Sequence, residues 1–320
     1  IRINAQRQQI SFWAKQWMIH PDEAYLLGLY NSDLHAFDYI LGSEMQPFHR
    51  LMNEHSGVAK LDYKLLMDKT LLSTLMQSVG VPVVETSCVS KGNVQDLLHA
   101  LQKHPTVFCK LRSGSRGESA FRAEQSGSAM MGQTLSGRNL EDEKAVQRAW
   151  QELAKKGEVL IQPYMKNHPD LEALSPGCDA ITFRVISKAD ESGVQTWFGL
   201  LYVQAPGDKE EKEYYLLNVD ITSGVLSDDF HHWQTKQEKQ SGVPVLEFLA
   251  GRPMPYWDEI KQHSELAHAQ IPRVWGIAWD WVITPDGPKL LEGNSGWDLS
   301  ALNELGVIFF DVYQEKIIRK

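Results

Sequence analysis

Gly276–Leu299 reads GIAWDWVITPDGPKLLEGNSGWDL. Two apolar runs flank TPDGP, and Pro, Asp and Gly in that order are turn residues, so the stretch is expected to form a β-hairpin. In a strand, successive side chains point to opposite faces, which places Glu292 and Asn294 on one side. Asp280 lies on the partner strand. A three-residue loop, Pro285 to Gly287, would pair Thr284 with Pro288 and set Asp280 opposite Glu292. A loop one residue longer or shorter would put Asp280 on the other face, and the sequence leaves that register open. In the first register three oxygen ligands converge. Such a set suits Mg²⁺, which takes carboxylates, amides, waters and substrate phosphates. A solvated hairpin face is the plain alternative. It is weakened by Ile277, Trp279, Trp281 and Val282, among which a lone Asp280 carboxylate is costly.

The rest of the chain sets the context. At roughly 150 residues per domain, 320 residues suggest two or three domains. With 42% apolar residues, ten Trp and eleven Phe, the composition is globular. The net charge is −9 and Lys and Arg form no long block, which argues against a nucleic-acid or anionic-membrane surface. A local basic site for phosphate is still compatible with that balance. Cys88, Cys109 and Cys178 are far apart and form no CxxC pair, which disfavours zinc and disulfides and favours a reducing compartment. No apolar stretch approaches about 18 residues, so no membrane span is expected. The first residues are too polar for a signal peptide, and the chain reads as cytoplasmic.

Residues 1–62 read as helices and loops. DYKLLMDKTLLSTLMQSVG reads as helical, with Asp68 as a cap and Gly80 as the stop, and VPVVETSCV reads as a strand. A helix over NVQDLLHALQKH follows, then a strand, a Gly/Ser loop and a strand in TVFCKLRSGSRGESAFRAEQ. LEDEKAVQRAWQELAKKG is a helix and EVLIQPYM a short strand. From about residue 180 strands dominate, with a last helix expected from near Ser300. This order suits an α+β fold of two lobes with a cleft between them.

Three further stretches carry potential chemistry. Lys110 precedes a loop of small residues, Ser113, Gly114, Ser115 and Gly117, whose backbone N–H groups could approach a phosphate; a plain Gly/Ser hairpin is the alternative. Lys69 stands in the first turn of a helix, where its charge opposes the helix dipole, and makes more sense beside an anion. Arg184 sits between apolar strand neighbours, so it either faces solvent or points into a cleft to hold phosphate or carboxylate. FHHW (Phe230–Trp233) lacks metal-helix spacing.

In content and order these motifs resemble the ATP-grasp superfamily: Lys69 before GVPV, a strand lysine before a Gly/Ser loop, IQPYM, and a terminal Asp…Glu-x-Asn. They span about Tyr63 to Leu299. IQPYMKNHPDLEALSPGCDAITFRVIS, GRPMPYWDEI and IAWDWVITPDGPKLLEGN look like the sugar-transfer-associated group of that superfamily. The resemblance implies an ATP-grasp fold of two α+β lobes gripping ATP. It implies a helical N-terminal segment (1–62), a part from 63 to 165 that includes a small lid lobe (about 92–161), and a C-terminal lobe (166–320) with the magnesium strands. Lys69 and Lys110 would contact ATP phosphates, and Ser113, Gly114, Ser115 and Gly117 would belong to the lid. Gln162, Pro163, Tyr164 and Met165 would form the hinge strand at adenine, and His168 and Asp170 are candidates for ribose. Asp280, Glu292 and Asn294 would hold Mg²⁺, and Arg184 would hold the transferred phosphoryl group or an acyl phosphate.

There are departures. Many relatives carry Glu where Gln162 stands, and several ligases carry Arg where Ala278 stands. The implied activity is an ATP-dependent, ADP-forming carboxylate–amine ligase. Its substrate would be a small molecule or glycan, plausibly a uronic-acid carboxylate joined to an amino acid or amine in surface polysaccharide biosynthesis. A kinase acting on a hydroxyl, or a nucleotide-binding protein without turnover, are the alternatives. Trp297, Asp298 and residues 229–234 are the expected substrate wall.

Overall fold

Two antiparallel sheets carry the chain, the first with helices on one face and the second with helices on both. The computed structural model describes residues 2–17, 19–21, 24, 29–30, 40–113, 120–135, 137–172, 181–204, 214–233 and 249–299. Gly114, Ser115 and Gly117, Cys178 and the helix expected from Ser300 lie outside these residues.

The first sheet runs β1 (Cys88–Ser90), β6 (Val159–Pro163), β2 (Thr106–Leu111), β3 (Phe121–Ser126), β4 (Ala129–Thr134) and β5 (Asn139–Leu140). Alternation divides its faces. Val107, Cys109, Phe121, Ala123, Val159 and Ile161 point to one side, where α5 (Val94–Lys103) and α6 (Glu143–Ala154) cover them. Both helices are amphipathic by spacing: Leu97, Ala100 and Leu101 on α5, and Val146, Ala149, Trp150 and Leu153 on α6. Asn93 caps α5 at the Gln95 N–H and Asp142 caps α6 at the Ala145 N–H. Lys110, Leu160 and Gln162 point to the other face.

The second sheet runs β10 (Leu226–Trp233), β9 (Tyr214–Val219), β8 (Gly193–Gln204), β7 (Thr182–Asp190), β11 (Gly276–Thr284) and β12 (Gly287–Asn294). Phe183, Val185, Leu201, Val203, Trp279 and Trp281 face α8 (Trp257–Ala269) in the largest core cluster. A buried polar chain stitches that side. The Trp279 indole donates to Ser187 Oγ (2.8 Å), which lies 2.7 Å from His268 Nδ1, and His268 Nε2 lies 2.7 Å from the Val274 carbonyl.

The helical start divides into two parts. α1 (Arg2–Trp17) packs in a small cluster of its own, around Trp13, Ile19, Ala24 and Leu29. By contrast α2 (Met45–His55) lies on the second sheet, with Met52 buried among Ile186, Leu200, Trp275 and Trp297. α3 (Lys60–Met67) and α4 (Lys69–Ser78) follow, broken at Asp68, and α7 (Pro169–Glu172) is a single turn.

VPVVETSCV does not form one strand. Val83 bridges Leu290 on the second sheet, and Cys88–Ser90 pair with β6 on the first. The segment passes from one sheet to the other, which is why its pairing is interrupted. No helix among the described residues is long and apolar enough to cross a membrane.

Candidate active site

The hairpin sets Asp280 opposite Glu292, but by a different route from the one expected. Its turn holds two residues, with Thr284 paired to Gly287. Continued unchanged, that register would set Asp280 opposite Leu291. A β-bulge at Leu291 intervenes: Trp281 pairs with Leu290, but Asp280 pairs with Glu292. Gly293 is required here for packing. A Cβ at that position would lie 2.6 Å from the Trp279 ring. The indole fills the space behind the strand and leaves Glu292 and Asn294 on the opposite face.

On that face the polar groups interlock. Arg184, directly across from Asp280 on β7, donates Nε to Asp280 Oδ1 (2.7 Å) and Nη2 to Oδ2 (2.8 Å). Its guanidinium lies 5.3 Å from the centre of the Tyr202 ring. Asn294 donates its amide N–H to Asp280 Oδ2 (3.2 Å) and Glu292 Oε1 (3.4 Å). Burial raises the Asp280 pKa above the ordinary carboxylate range, and the Glu292 charge adds to this against the pull of Arg184. Burial also presses on Glu292, but the Lys69 and Lys110 charges outweigh it and hold its pKa below the usual value.

The two lysines arrive from different elements. Asp68 caps α4 by accepting from the Thr70 and Leu71 N–H groups, so Lys69 sits in the first turn as expected. Its Nζ lies 3.2 Å from Glu292 Oε2, which supplies the anion that the helix dipole does not. Lys110 comes from the cleft face of β2. It keeps some contact with solvent but is surrounded by protein, and burial pushes its pKa down to about 8. Arg112 ties these parts together. It donates Nε and Nη2 to Asp68 (3.0 and 2.8 Å) and Nη1 to Glu158 (2.7 Å), while Asp68 bridges Ser113. The strand of Lys110 is thereby fixed to the helix of Lys69. The sequence reading missed Arg112, although a cation next to a Gly/Ser loop was its available signal.

The residues expected at the hinge lie on β6 and just after it. Gln162 is buried beside Thr86, with Nε2 3.4 Å from its hydroxyl, and pairs with Phe108. Pro163 pairs with Val107, and the Tyr164 N–H donates to Thr106 (3.1 Å). Arg122 lies over the Tyr164 ring at 5.2 Å, and Met165 is half-buried. The His168 N–H donates to the Ile283 carbonyl (2.7 Å), and Asp170 is exposed nearby.

Trp297 does not form an open wall. At 3% exposure its ring belongs to the core, and its indole N–H donates to Gly276. Asp298 is exposed. Residues 229–233 lie on β10 and residue 234 is outside the described set. The wall near the metal residues comes instead from α2. A cavity bounded by Lys69, Glu292, Asn294, Ser295 and Gly296 shares its last two residues with a second one lined by Gln46, His49, Arg50, Asn53 and Tyr63.

The donor set fits Mg²⁺. Two carboxylates and an amide share one face; Asp280 Oδ1 and both Glu292 oxygens each accept from one donor and keep a second lone pair, whereas Asp280 Oδ2 accepts from both Arg184 and Asn294, and the Asn294 amide can offer its oxygen. Among the described residues no three His, Cys, Asp or Glu side chains cluster as a metal cage. A site completed by waters and phosphates is what such a partial set would hold.

Comparison with known proteins bears on this geometry. No curated protein matches the chain in sequence. Among solved structures, biotin carboxylase from Campylobacter jejuni, in a β,γ-ATP complex, superposes with a TM-score of 0.51 at 14% identity, covering 87% of this chain and 53% of its own. The biotin carboxylase domain of 2-oxoglutarate carboxylase from Hydrogenobacter thermophilus gives 0.48 at 14% identity (86% and 51%). D-alanine–D-alanine ligase from Helicobacter pylori gives 0.45 at 13% identity (80% and 61%). This chain thus spans between about half and three-fifths of the length of those proteins. The first of them shares the two-sheet architecture. The family described as sugar-transfer associated ATP-grasp matches residues 47–308, from α2 through the metal hairpin. The chain belongs to the sugar-transfer-associated ATP-grasp family.

Proposed function

We propose that the cleft binds MgATP and activates a carboxylate, which an amine then attacks. The observation that carries this reading is the meeting of Lys69, Lys110 and Arg184 with Asp280, Glu292 and Asn294 in one cleft. A carboxylate is a poor electrophile, because its charge is delocalised and oxide is a bad leaving group. A carboxylate oxygen attacks the γ-phosphorus, the bond to the ADP oxygen breaks, and an acyl phosphate forms. The amine then attacks the carbonyl carbon, phosphate leaves, and a proton is lost from nitrogen.

Catalysis of the first step is mainly positioning and charge neutralisation. Lys69 and Lys110 hold the phosphates, and Arg184, with Nη1 not engaged by Asp280, meets the transferred phosphoryl group. Asp280, Glu292 and Asn294 would hold Mg²⁺, which neutralises charge on the phosphates when bound. Ser113 begins the lid, with Gly114, Ser115 and Gly117 continuing it. Gln162, Pro163, Tyr164 and Met165 line adenine, and His168 meets the ribose. Residues 63–165 carry the hinge and lid, and 166–320 the metal strands. The family description supports a sugar-linked carboxylate, such as a uronic acid, as substrate, and an amino acid or amine as partner.

The test is product analysis. Purified protein with MgATP, hexuronic acids and amino acids is expected to release ADP and phosphate in proportion to amide formed. Formation of AMP, or of a phosphorylated hydroxyl without any amine requirement, would sink the reading.

A further inference from the structure

The cavity beside the metal hairpin has an uneven lining. His49 and Asn53 are spent. His49 Nδ1 accepts from the Trp275 indole (3.2 Å), so its Nε2 carries the proton and donates to the Trp297 carbonyl (2.8 Å). Asn53 Oδ1 accepts from the Trp275 N–H (3.1 Å). Behind them Asp62 holds Arg273 through two hydrogen bonds, at 3.0 and 2.9 Å. These contacts fix α2 and α3 against the second sheet, so the cavity has a rigid back. The remaining polar side chains, Gln46, Arg50, Tyr63 and Ser295, form no hydrogen bond or ion pair among the described residues.

The unspent set is rich in donors and carries one full charge, that of Arg50, at the exposed mouth. His49 is neutral in its packed state, so among the described residues that line the space Arg50 carries the one full charge, with Asp298 near enough to act on His49. A guanidinium with free N–H groups, beside an amide and two hydroxyls, is complementary to a carboxylate or phosphate. The cavity shares Ser295 and Gly296 with the one that holds Lys69, Glu292 and Asn294, and the Gln46 amide stands 3.5 Å from where a Cβ on Gly296 would lie. The two cavities adjoin at Ser295 and Gly296, so a molecule at Glu292 and Asn294 would reach α2 by passing over Gly296.

We propose that Arg50, with Gln46 and Tyr63, binds an acidic group of a substrate, distinct from the carboxylate that reacts. α2 is then a selecting wall of the active site. This rests on the ATP-site reading above. The acidic group belongs either to the activated molecule or to an amino acid that supplies the amine, and the two sources are separable.

Ligand-observed saturation-transfer NMR on the full chain with MgADP tests this. The probes are glutarate against butyrate, and alanine against ethylamine. Binding of glutarate or alanine is expected to weaken about tenfold in Arg50→Gln, the loss typical of a charge-assisted hydrogen bond, and to survive largely in Arg50→Lys. Butyrate and ethylamine should not respond. A loss for glutarate assigns the acidic group to the activated molecule, and a loss for alanine assigns it to the amine. The proposal is overturned if both acidic probes bind wild type and Arg50→Gln alike, or if neither binds protein that has bound MgADP. Failure of MgADP itself to bind overturns the ATP-site reading, and this inference falls with it.

Discussion

The two sheets follow one plan and finish it differently. Each has six antiparallel strands, a helix layer on one face and a polar group on the other, and on the second sheet α2 also packs on the face of the polar group. On the second sheet the charges are already matched: Arg184 is held at both ends of the Asp280 carboxylate, and Glu292 has Lys69. On the first sheet Lys110 forms no ion pair among the described residues, and burial lowers its pKa to about 8. One sheet is assembled in advance. The other holds a cation whose desolvation the nearby Glu292 and Asp280 charges offset only in part. The contrast separates ion pairs that fix geometry from a lysine without an ion pair among the described residues, which the proposed function assigns to phosphate binding.

The largest expected effect comes from breaking the matched side. Asp280→Ala leaves Arg184 buried without its partner and should destabilise the fold by about 3–5 kcal/mol. Urea unfolding measures this, and a loss below about 1 kcal/mol would mean the pair is dispensable. Glu292→Gln keeps the shape and removes the charge of a proposed metal ligand. Turnover should fall by about 10²–10³-fold, the scale of a lost electrostatic donor in an active site, and melting should fall with it, because Lys69 loses its ion-pair partner.

Gly293→Ala attacks the packing behind the ligands. Forcing a Cβ against Trp279 should cost about 1–3 kcal/mol, as overpacking does, and weaken Mg²⁺ dependence at the same time. If thermal unfolding of this variant matches wild type, Trp279 has room to move and the packing argument fails.

The open side should respond in the opposite sense. Lys110→Met removes a buried charge, so stability is expected to hold or rise while ATP affinity drops about tenfold or more, as for a lost charge-assisted contact. pH sharpens the same point. The folded-state pKa of Lys110 lies below its unfolded value, so the unfolded chain binds more protons between about 8 and the ordinary lysine value, and apo stability gains from this group as pH rises there. Nucleotide affinity should fall through the same range, because the lysine charge is lost. Calorimetric titrations of ADP at several pH values check this, and a flat profile would remove Lys110 from the site.

The smallest effect concerns α2. Burial lowers the His49 pKa to about 4, so the neutral ring contributes stability above the ordinary histidine value that is lost as pH falls toward 4. His49→Gln should flatten that part of the acid-unfolding curve. An unchanged curve would place the titration elsewhere.

Much of the site was readable because its chemistry is local. Asp68 and Lys69 are adjacent, Glu292 and Asn294 share a strand face, and TPDGP marks the turn. What was not readable depends on distance in sequence. The Leu291 bulge answers to the packing of Trp279 and Leu66 on Gly293, which no strand pattern reveals. Arg112 finds Asp68 and Glu158 only after three elements meet. Trp297 was expected at the substrate because it follows the ligands, but its indole is claimed by Gly276 and by packing under α2. VPVVETSCV has strand composition throughout, yet it serves two sheets in succession and so cannot form one ladder.

The two-residue turn and the bulge at Leu291 form a parity pair. Each alone would turn Asp280 away from Glu292, and together they cancel. In this sequence turn length and bulge are therefore constrained together: a shift of the strand pairing by one residue without a matching change at the bulge would separate Asp280 from Glu292 and Asn294. An unremarkable-looking surface loop is in this way bound to the chemistry as firmly as the ligands are.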